Sequence, residues 1–173
     1  MSPTRLVFGQ APPVMWSKEE IAASDNLRRR NEPYNEIRSR ALRNRETGEN
    51  DLDMRVMYHF WAHFLVRNFN PRMYEEFRRL AYEDLQSQKG NFGVNLLGAY
   101  YDQVLNSKRR TMPQILAKHY VELVKGEAVD GQRQERPAFG KLRASWRNGA
   151  LDLKSRKILL EEVDQVLREE LER

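Results

Sequence analysis

Apolar residues recur at three- and four-residue spacings through most of the chain, the period of a half-buried helix rather than of a strand. Between Asp51 and Asn68, residues Met54, Met57, Tyr58, Trp61, Phe64 and Leu65 form a wide apolar stripe, which predicts one helix. Asn70-Pro71 reads as an N-cap followed by proline at the first helical position. The helix it opens carries Met73, Tyr74, Phe77, Leu80, Ala81 and Leu85 and is expected to stop near Gly90. Residues 92–106 predict another helix, through Val94, Leu96, Leu97, Tyr100, Tyr101, Val104 and Leu105. Thr111-Met112-Pro113 opens the next, which should run to about Lys125 and end at Gly126.

The flanks are less regular. Residues 1–16, with Pro3, Gly9, Pro12 and Pro13, predict an extended arm, but Leu6, Val7, Phe8, Val14, Met15 and Trp16 are too many apolar groups for a purely solvated tail. Ser17-Lys18-Glu19-Glu20 forms a capping box, and Trp16 with Ile21 completes a hydrophobic staple, so a helix should start there. Pro33 disfavours the α conformation at Glu32, and a second helix is expected over Tyr34–Arg45, ending in the turn Thr47-Gly48-Glu49-Asn50. Residues 126–137 read as a linker, followed by a short helix over Phe139–Trp146. Leu159, Leu160, Val163, Val166, Leu167 and Leu171 then share a face, which predicts a single last helix between Leu151 and Arg173. No stretch alternates for long enough to build a sheet.

Self-comparison adds a repeat. Phe60-Trp61-Ala62-His63-Phe64-Leu65 aligns with Tyr100-Tyr101-Asp102-Gln103-Val104-Leu105, 40 residues on, and Pro71 aligns with Pro113, 42 residues on. An aromatic-rich helix followed by a proline-started one, repeated every 40 residues or so, fits the helical-hairpin solenoids. The expected architecture is therefore all-α, a right-handed α-solenoid of HEAT-like hairpins. Its parts would be an arm (1–16), N-terminal helices (17–50) and a repeat domain (51–173), with repeats at about 51–89 and 90–126 and a degraded third at 137–173. Such a stack offers a groove for binding in preference to a deep pocket for chemistry.

Composition then narrows the class. The 173 residues are 40% hydrophobic and 32% charged, with 30 Lys+Arg against 25 Asp+Glu and a formal net charge of +5. Cysteine is absent, which excludes disulfides, a thiolate nucleophile and sulfur-based zinc sites. No apolar run is long enough to span a bilayer, and residues 1–15 do not resemble a secretory signal, so a soluble, cytoplasmic protein without a membrane partner is expected. The charge is uneven. Residues 28–45 hold seven arginines, including Arg28, Arg29, Arg30 and Arg38, against Glu32 and Glu36. Residues 131–157 hold eight cations, including Arg133, Arg136, Lys141, Arg143 and Arg147, against Glu135 and Asp152. Two basic blocks around a neutral repeat suit a phosphate-bearing partner, and the named residues are the phosphate-binding candidates. A solvated face laced with Glu–Arg pairs explains the same composition. The last helix carries Lys154, Arg156 and Lys157 early and Glu169, Glu170 and Glu172 late, against its own dipole.

Catalytic constellations are weak. His59 and His63 share a helix face at i,i+4, but Phe60, Trp61 and Ala62 lie between them, without the glutamate of a zinc-protease helix, so packing is the better reading than metal. Glu75-Glu76 and Glu161-Glu162 are adjacent carboxylates that point in different directions on a helix. No nucleophile elbow or glycine-rich phosphate loop occurs. The sequence asks for neither a cofactor nor an enzymatic activity.

Phe60-Trp61 with Phe64-Leu65, Phe69-Asn70, Met73-Tyr74-Glu75-Glu76-Phe77-Arg78, Leu80-Ala81 and Glu83-Asp84, followed by the aromatic pair Tyr100-Tyr101, resembles the C-terminal helical repeats of the La-related protein 1 family. A weaker similarity continues at Ala150-Leu151-Asp152-Leu153. The resemblance implies a HEAT-like stack that binds the capped 5′ end of messenger RNA and represses translation. In that family, two aromatic rings sandwich the methylated guanine, an arrangement suited to a cationic base. A glutamate reads the guanine edge, and basic residues hold the phosphates. The resemblance places Ala99 at the second-repeat arginine, Gln103 at the stacking tyrosine, Asn106 at the glutamate and Leu142 near the third-repeat tyrosine. In the first repeat, His59 and His63 replace an arginine and an aromatic. The scaffold is retained and the cap contacts are replaced. The RNA module that usually precedes these repeats in the family does not occur in these 173 residues, so a fragment or a diverged stand-alone member is expected.

The expectation is an RNA-binding translation-regulator module that contacts the 5′ region of mRNA with weakened or lost cap selectivity. His59, His63, Ala99, Tyr100, Gln103 and Asn106 are its groove candidates. The alternative is a protein-interaction scaffold with no RNA ligand, in which residues 6–16 engage a protein partner.

Overall fold

A computed structural model describes residues 33–48, 51–128 and 135–173. Among these residues the chain is entirely helical. Eight helices follow in order: α1 (Tyr34–Thr47), α2 (Leu52–Arg67), α3 (Pro71–Gln86), α4 (Phe92–Leu105), α5 (Gln114–Ala128), α6 (Pro137–Trp146), α7 (Leu153–Glu162) and α8 (Gln165–Glu172). They fall into two compact units, one ending at Leu96 and the other beginning at Leu97, so the division lies within α4. The arm at 1–16, the capping box at Ser17–Glu20 and the turn at 49–50 lie outside the described residues.

In the first unit, caps and aromatics explain the elements. Gly48 closes α1 in the left-handed region, at φ 70°, with its N–H on the Asn44 carbonyl at 3.0 Å. Asn70 caps α3 as the sequence predicts, its side-chain oxygen accepting from Arg72 N and Met73 N at 3.0 and 3.1 Å. The apolar stripe of α2 meets α1 and α3 through stacked and tilted rings. Trp61 stacks on Phe77 with centroids 5.8 Å apart, and Tyr58 tilts against Phe77 at 5.9 Å. Trp61, Phe77, Met57 and Ile37 are completely buried. Each such side chain contributes about 1.5–3 kcal/mol through burial, so these aromatics are core and present no face for stacking on a base.

Ion pairs flank that core. Arg38 grips Glu76 with two nitrogens, the Nε contact at 2.6 Å. Arg40 and Asn44 both reach Asp53, and Arg45 reaches Glu83 and Asp84. Among the described arginines of this segment, Arg38, Arg40 and Arg45 therefore match their charges with carboxylates of α2 and α3, whereas Arg43 is exposed. Gly93 lies at the start of α4 where a Cβ would come within 3.0 Å of the Ala81 backbone and the Tyr58 ring, and this close approach requires glycine.

In the second unit, Tyr101 stacks on Tyr120 at 5.5 Å, and Leu97, Leu105, Val124, Leu142, Leu159 and Leu171 are buried around α4, α5, α6, α7 and α8. The N-terminus of α6 lacks a side-chain cap from Arg136. Instead, the Glu127 carboxylate near the end of α5 accepts from Ala138 N at 2.9 Å and Phe139 N at 3.1 Å. An acid at a helix N-terminus is favoured by both hydrogen bonding and the dipole.

Two expectations are corrected here. Helix α5 does not stop at Gly126 but continues to Ala128, because Gly126 keeps an ordinary negative φ and nothing crowds it. The last segment is two helices, not one. Val163 leaves the helix in an extended conformation, and Asp164 caps a new one by accepting from Leu167 N at 2.8 Å. Asp152 caps α7 in the same way, through Ser155 N at 3.1 Å. The apparent dipole mismatch thus belongs to two short helices that each begin on an aspartate. The late glutamates also have partners: Glu170 pairs with Arg136 and Glu172 with Arg168.

Candidate functional site

The first unit holds a cleft of about 580 Å³ between α1, α2, α3 and the start of α4. At its wall, the Tyr58 hydroxyl donates to Asp84, whose other oxygen accepts from Arg45 at 2.9 Å. Burial pushes the Tyr58 phenol up, and the Asp84 carboxylate adds to the shift, so the group stays a donor throughout the physiological range. Arg55 pairs with Asp51 and lies over the Phe92 ring at 4.9 Å. The arginines in this wall are neutralised by carboxylates, so the cleft carries little net charge. It acts as a polar brace between helices.

The second unit has a polar network at the end of α4. Asp102 Oδ1 accepts from the Ser145 hydroxyl at 2.7 Å and from the Tyr120 hydroxyl at 3.1 Å. Burial raises the Asp102 pKa, while the Ser145 and Tyr120 hydrogen bonds and the charge of Lys141 oppose that rise. The same burial, with the Asp102 charge, pushes the Tyr120 phenol up. Asn106 extends the network by donating to the Asp102 carbonyl at 2.8 Å and the Ser145 hydroxyl at 2.9 Å.

The groove candidates separate by burial. His59 is fully buried, with its ring edge-on to Phe92 at 5.3 Å. His63 is partly exposed, and burial followed by the charge of Arg67 lowers its pKa, so the imidazole is neutral at pH 7. Tyr100 is 1% exposed and packs on Tyr101, which removes its ring as a stacking platform. Ala99 is buried, Gln103 is partly exposed and Asn106 is exposed. Of the second-unit candidates, Gln103 and Asn106 are therefore the ones that can meet a ligand. No group of three or more His, Cys, Asp and Glu able to hold a metal ion occurs among the described residues.

The phosphate candidates divide similarly. Arg28, Arg29, Arg30 and Arg133 lie outside the described residues. Arg38 is committed to Glu76, and Arg136 pairs with Glu170 at 2.8 Å while lying over Phe139 at 4.0 Å. Arg143 donates to the terminal carbonyl of Arg173 at 2.6 Å. Lys141 and Arg147 are exposed. Lys108-Arg109-Arg110, three consecutive exposed cations in the α4–α5 loop, fall outside both basic blocks of the sequence. Their signal is the absence of any Asp or Glu between Asp102 and Glu122. Charge summed over long blocks misses so short an interval.

A family model, the LARP1 HEAT repeat region, matches residues 20–134. The chain belongs to this family. The matched LARP1 span takes in both aromatic-rich helices and the two proline-started helices that follow them. The third repeat expected at 137–173 lies beyond it. Within the LARP1 HEAT repeat region, the burial of Trp61, Phe77, Tyr100 and Tyr101 assigns the aromatic pattern to the core of the helical pairs. No helix of the described residues is long and apolar enough to cross a membrane.

Proposed function

We propose that this LARP1-family helical-repeat module binds single-stranded RNA, contacting the 5′ region of mRNA as part of a cytoplasmic translation regulator, with cap selectivity weakened or lost. Membership in the LARP1 HEAT family over residues 20–134 carries the proposal. Weakened selectivity follows from Ala99, Gln103 and Asn106 standing where the family resemblance places an arginine, a stacking tyrosine and an edge-reading glutamate. Without a ring and an acid, a methylated guanine has little to distinguish it from another base. Polar contacts from Gln103 and Asn106 then supply hydrogen bonds to splayed-out bases.

The test is a fluorescence titration of capped and uncapped 20-nucleotide pyrimidine-rich RNA over a series of salt concentrations. Binding that weakens as salt rises, with nearly equal affinity for the two RNAs, is expected. Absence of binding at low salt would overturn the RNA reading and favour the protein-interaction scaffold. A preference of tenfold or more for the capped RNA would overturn the loss of selectivity.

A further inference from the structure

Three segments of the second unit converge at one end of it. The first residue beyond α4 meets the end of α6, through Asn106 Nδ2 on Ser145 Oγ at 2.9 Å. The α4–α5 loop meets the first turn of α7, through Met112 N on Ser155 Oγ at 3.3 Å. Arg156 of α7 closes the triangle by donating to the Trp146 carbonyl at 2.7 Å and to the Asn148 carbonyl at 3.3 Å, with its guanidinium over the Trp146 ring. These contacts hold the loop 107–113, the turn after α6 and the start of α7 together.

Each segment brings cations. Lys108, Arg109 and Arg110 come from the loop, Arg147 from the turn, and Lys154 and Lys157 from α7, and all six are exposed. No carboxylate among the described residues pairs with any of them. Asp152, the acid at this end, is occupied in capping Ser155 N. Ordinary helix stabilisation accounts for part of the charge: Arg147 and Arg156 lie at the C-terminal end of α6, where a cation is favoured. It does not account for Lys154 and Lys157, which sit in the first turns of α7 against the dipole. Nor does it account for three consecutive cations in a loop.

We propose that this end of the second unit is a phosphate-backbone site for single-stranded RNA, with Lys108, Arg109, Arg110, Lys154 and Lys157 as its principal contacts. The proposal rests on the RNA-binding reading above and locates the electrostatic part of it away from the Arg28–Arg45 segment, where Arg38, Arg40 and Arg45 pair with carboxylates and Arg43 stands alone as a described exposed arginine. The site reads phosphate and not sequence. Its nearest large ring, Trp146, is buried beneath Arg156 and offers no stacking face. Flexible lysines and adjacent arginines track an irregular strand without fixing a base register, as in other sequence-tolerant grooves.

The experiment measures binding of a 20-nucleotide oligouridylate across salt concentrations by the full chain and three variants. The first is Lys108→Ala/Arg109→Ala/Arg110→Ala and the second Lys154→Ala/Lys157→Ala. The third, Arg43→Ala/Arg67→Ala/Arg72→Ala, removes the same charge as the first from exposed positions of the first unit. Each phosphate contact to a single strand contributes about 0.7 to the slope of log affinity against log salt. The loop variant should therefore lose about 2 units of slope and the lysine variant about 1.4, on the same basis. The charge-matched control should keep the wild-type slope. Circular dichroism and thermal midpoints establish that all variants are folded, and Lys108→Arg should retain the slope.

Absence of oligouridylate binding by the wild-type chain would overturn the RNA reading itself. Wild-type binding with unchanged slopes in the loop and lysine variants would overturn this site and leave the RNA reading standing. So would a control variant that loses as much slope as the loop variant. Tighter binding of poly-glutamate or of phosphatidylserine vesicles than of oligouridylate at the same salt concentration would also overturn it, by assigning the patch to an acidic protein or a lipid surface.

Discussion

The Trp61 indole N–H donates to the Tyr34 hydroxyl at 2.9 Å in the interior of the first unit, and this bond ties α1 to α2. Tyr34 is 6% exposed and Trp61 is fully buried, so water cannot replace either partner. Tyr34→Phe keeps the ring and its tilted contact with Phe60, and leaves the indole donor unsatisfied. An orphaned buried donor costs about 1–3 kcal/mol. Urea denaturation followed by circular dichroism should show a loss of that size. A variant as stable as the wild type would mean that the bond adds nothing to the packing of the two rings.

The same hydroxyl predicts behaviour at alkaline pH. Burial pushes the Tyr34 pKa up to about 12, opposed by the Trp61 hydrogen bond and reinforced by Glu76. Burial also raises Tyr58 and Tyr120. A folded-state pKa above the ordinary value near 10 means that the folded chain holds its proton where the unfolded chain has released it. The stabilisation is complete below pH 10 and is lost as pH rises toward 12 and beyond. Urea midpoints should therefore fall steeply over that window. Tyr34→Phe should show a shallower fall than the wild type, and parallel curves would refute the assignment.

The helices were largely legible from periodicity because their apolar stripes are wide and their caps are local. Asn70-Pro71 is one example, a start signal contained in two adjacent residues. The failures differ in cause: the break after α7 is set locally by Val163 and Asp164, whereas the α6 cap and the arginine pairs depend on contacts remote in sequence. Glu127, near the end of α5, caps α6 by accepting from Ala138 N and Phe139 N, 11 and 12 residues on. The break at Val163–Asp164 interrupts a stripe that would also fit one continuous helix. Arginine pairing was equally hidden, because Arg38 and Glu76 lie 38 residues apart. At the candidate site, the types of residue were readable but their exposure was not. Tyr100 and Gln103 stand three residues apart on α4, yet one is core and the other reaches the surface.

Two glycines should respond in opposite directions to alanine. A Cβ at Gly93 would sit 3.0 Å from the Ala81 Cα and 3.0 Å from the Tyr58 ring, and backbone yields less readily than a side-chain tip. Overpacking of this kind costs about 1–3 kcal/mol, which outweighs a propensity gain of at most about 1 kcal/mol. Gly140 lies inside α6, and a methyl group added there would meet nothing within 4 Å. Gly140→Ala should therefore stabilise the chain by about 0.5–1 kcal/mol. Thermal melts of the two variants check both signs, and a stabilising Gly93→Ala would contradict the close approach of α4 to α3.

Asp102 offers a second pH test of the same sign in the acid range. Its raised pKa means that folding disfavours the ionised carboxylate, so its contribution is fully present below the ordinary value of 3.8 and is lost as pH rises through the folded-state value. Asp102→Asn keeps an oxygen to accept from Ser145 and Tyr120 and does not titrate in this range. The stability of the wild type relative to the variant should be greatest at acid pH and should fall to a plateau toward neutrality. Urea midpoints at several pH values between 3.5 and 7 measure this. A difference that grows with pH would show that the hydrogen bonds and Lys141 outweigh burial.

Gln103 and Asn106 allow the loss of cap selectivity to be tested by gain of function. Gln103→Tyr supplies a ring on the partly exposed face of α4, and Asn106→Glu supplies an acid three residues on, where the family resemblance places one. Ala99 is a poor third position, since it is 8% exposed and an arginine there would enter the core. Leu142 is fully buried, so the opposite half of a ring sandwich cannot be restored at that residue. One ring therefore stacks on one face of the base. Base–aromatic stacking contributes about 1–3 kcal/mol, and the lower end, about 1 kcal/mol, corresponds to roughly a fivefold change in affinity. The double variant should bind capped pyrimidine-rich RNA about fivefold more tightly than uncapped RNA, whereas the wild type should bind the two nearly equally. The Asn106 substitution also removes the donor to Ser145, so the thermal midpoint must be measured alongside. A folded double variant with an unchanged capped-to-uncapped ratio would show that these two positions do not face the base, and that selectivity is set elsewhere on the module.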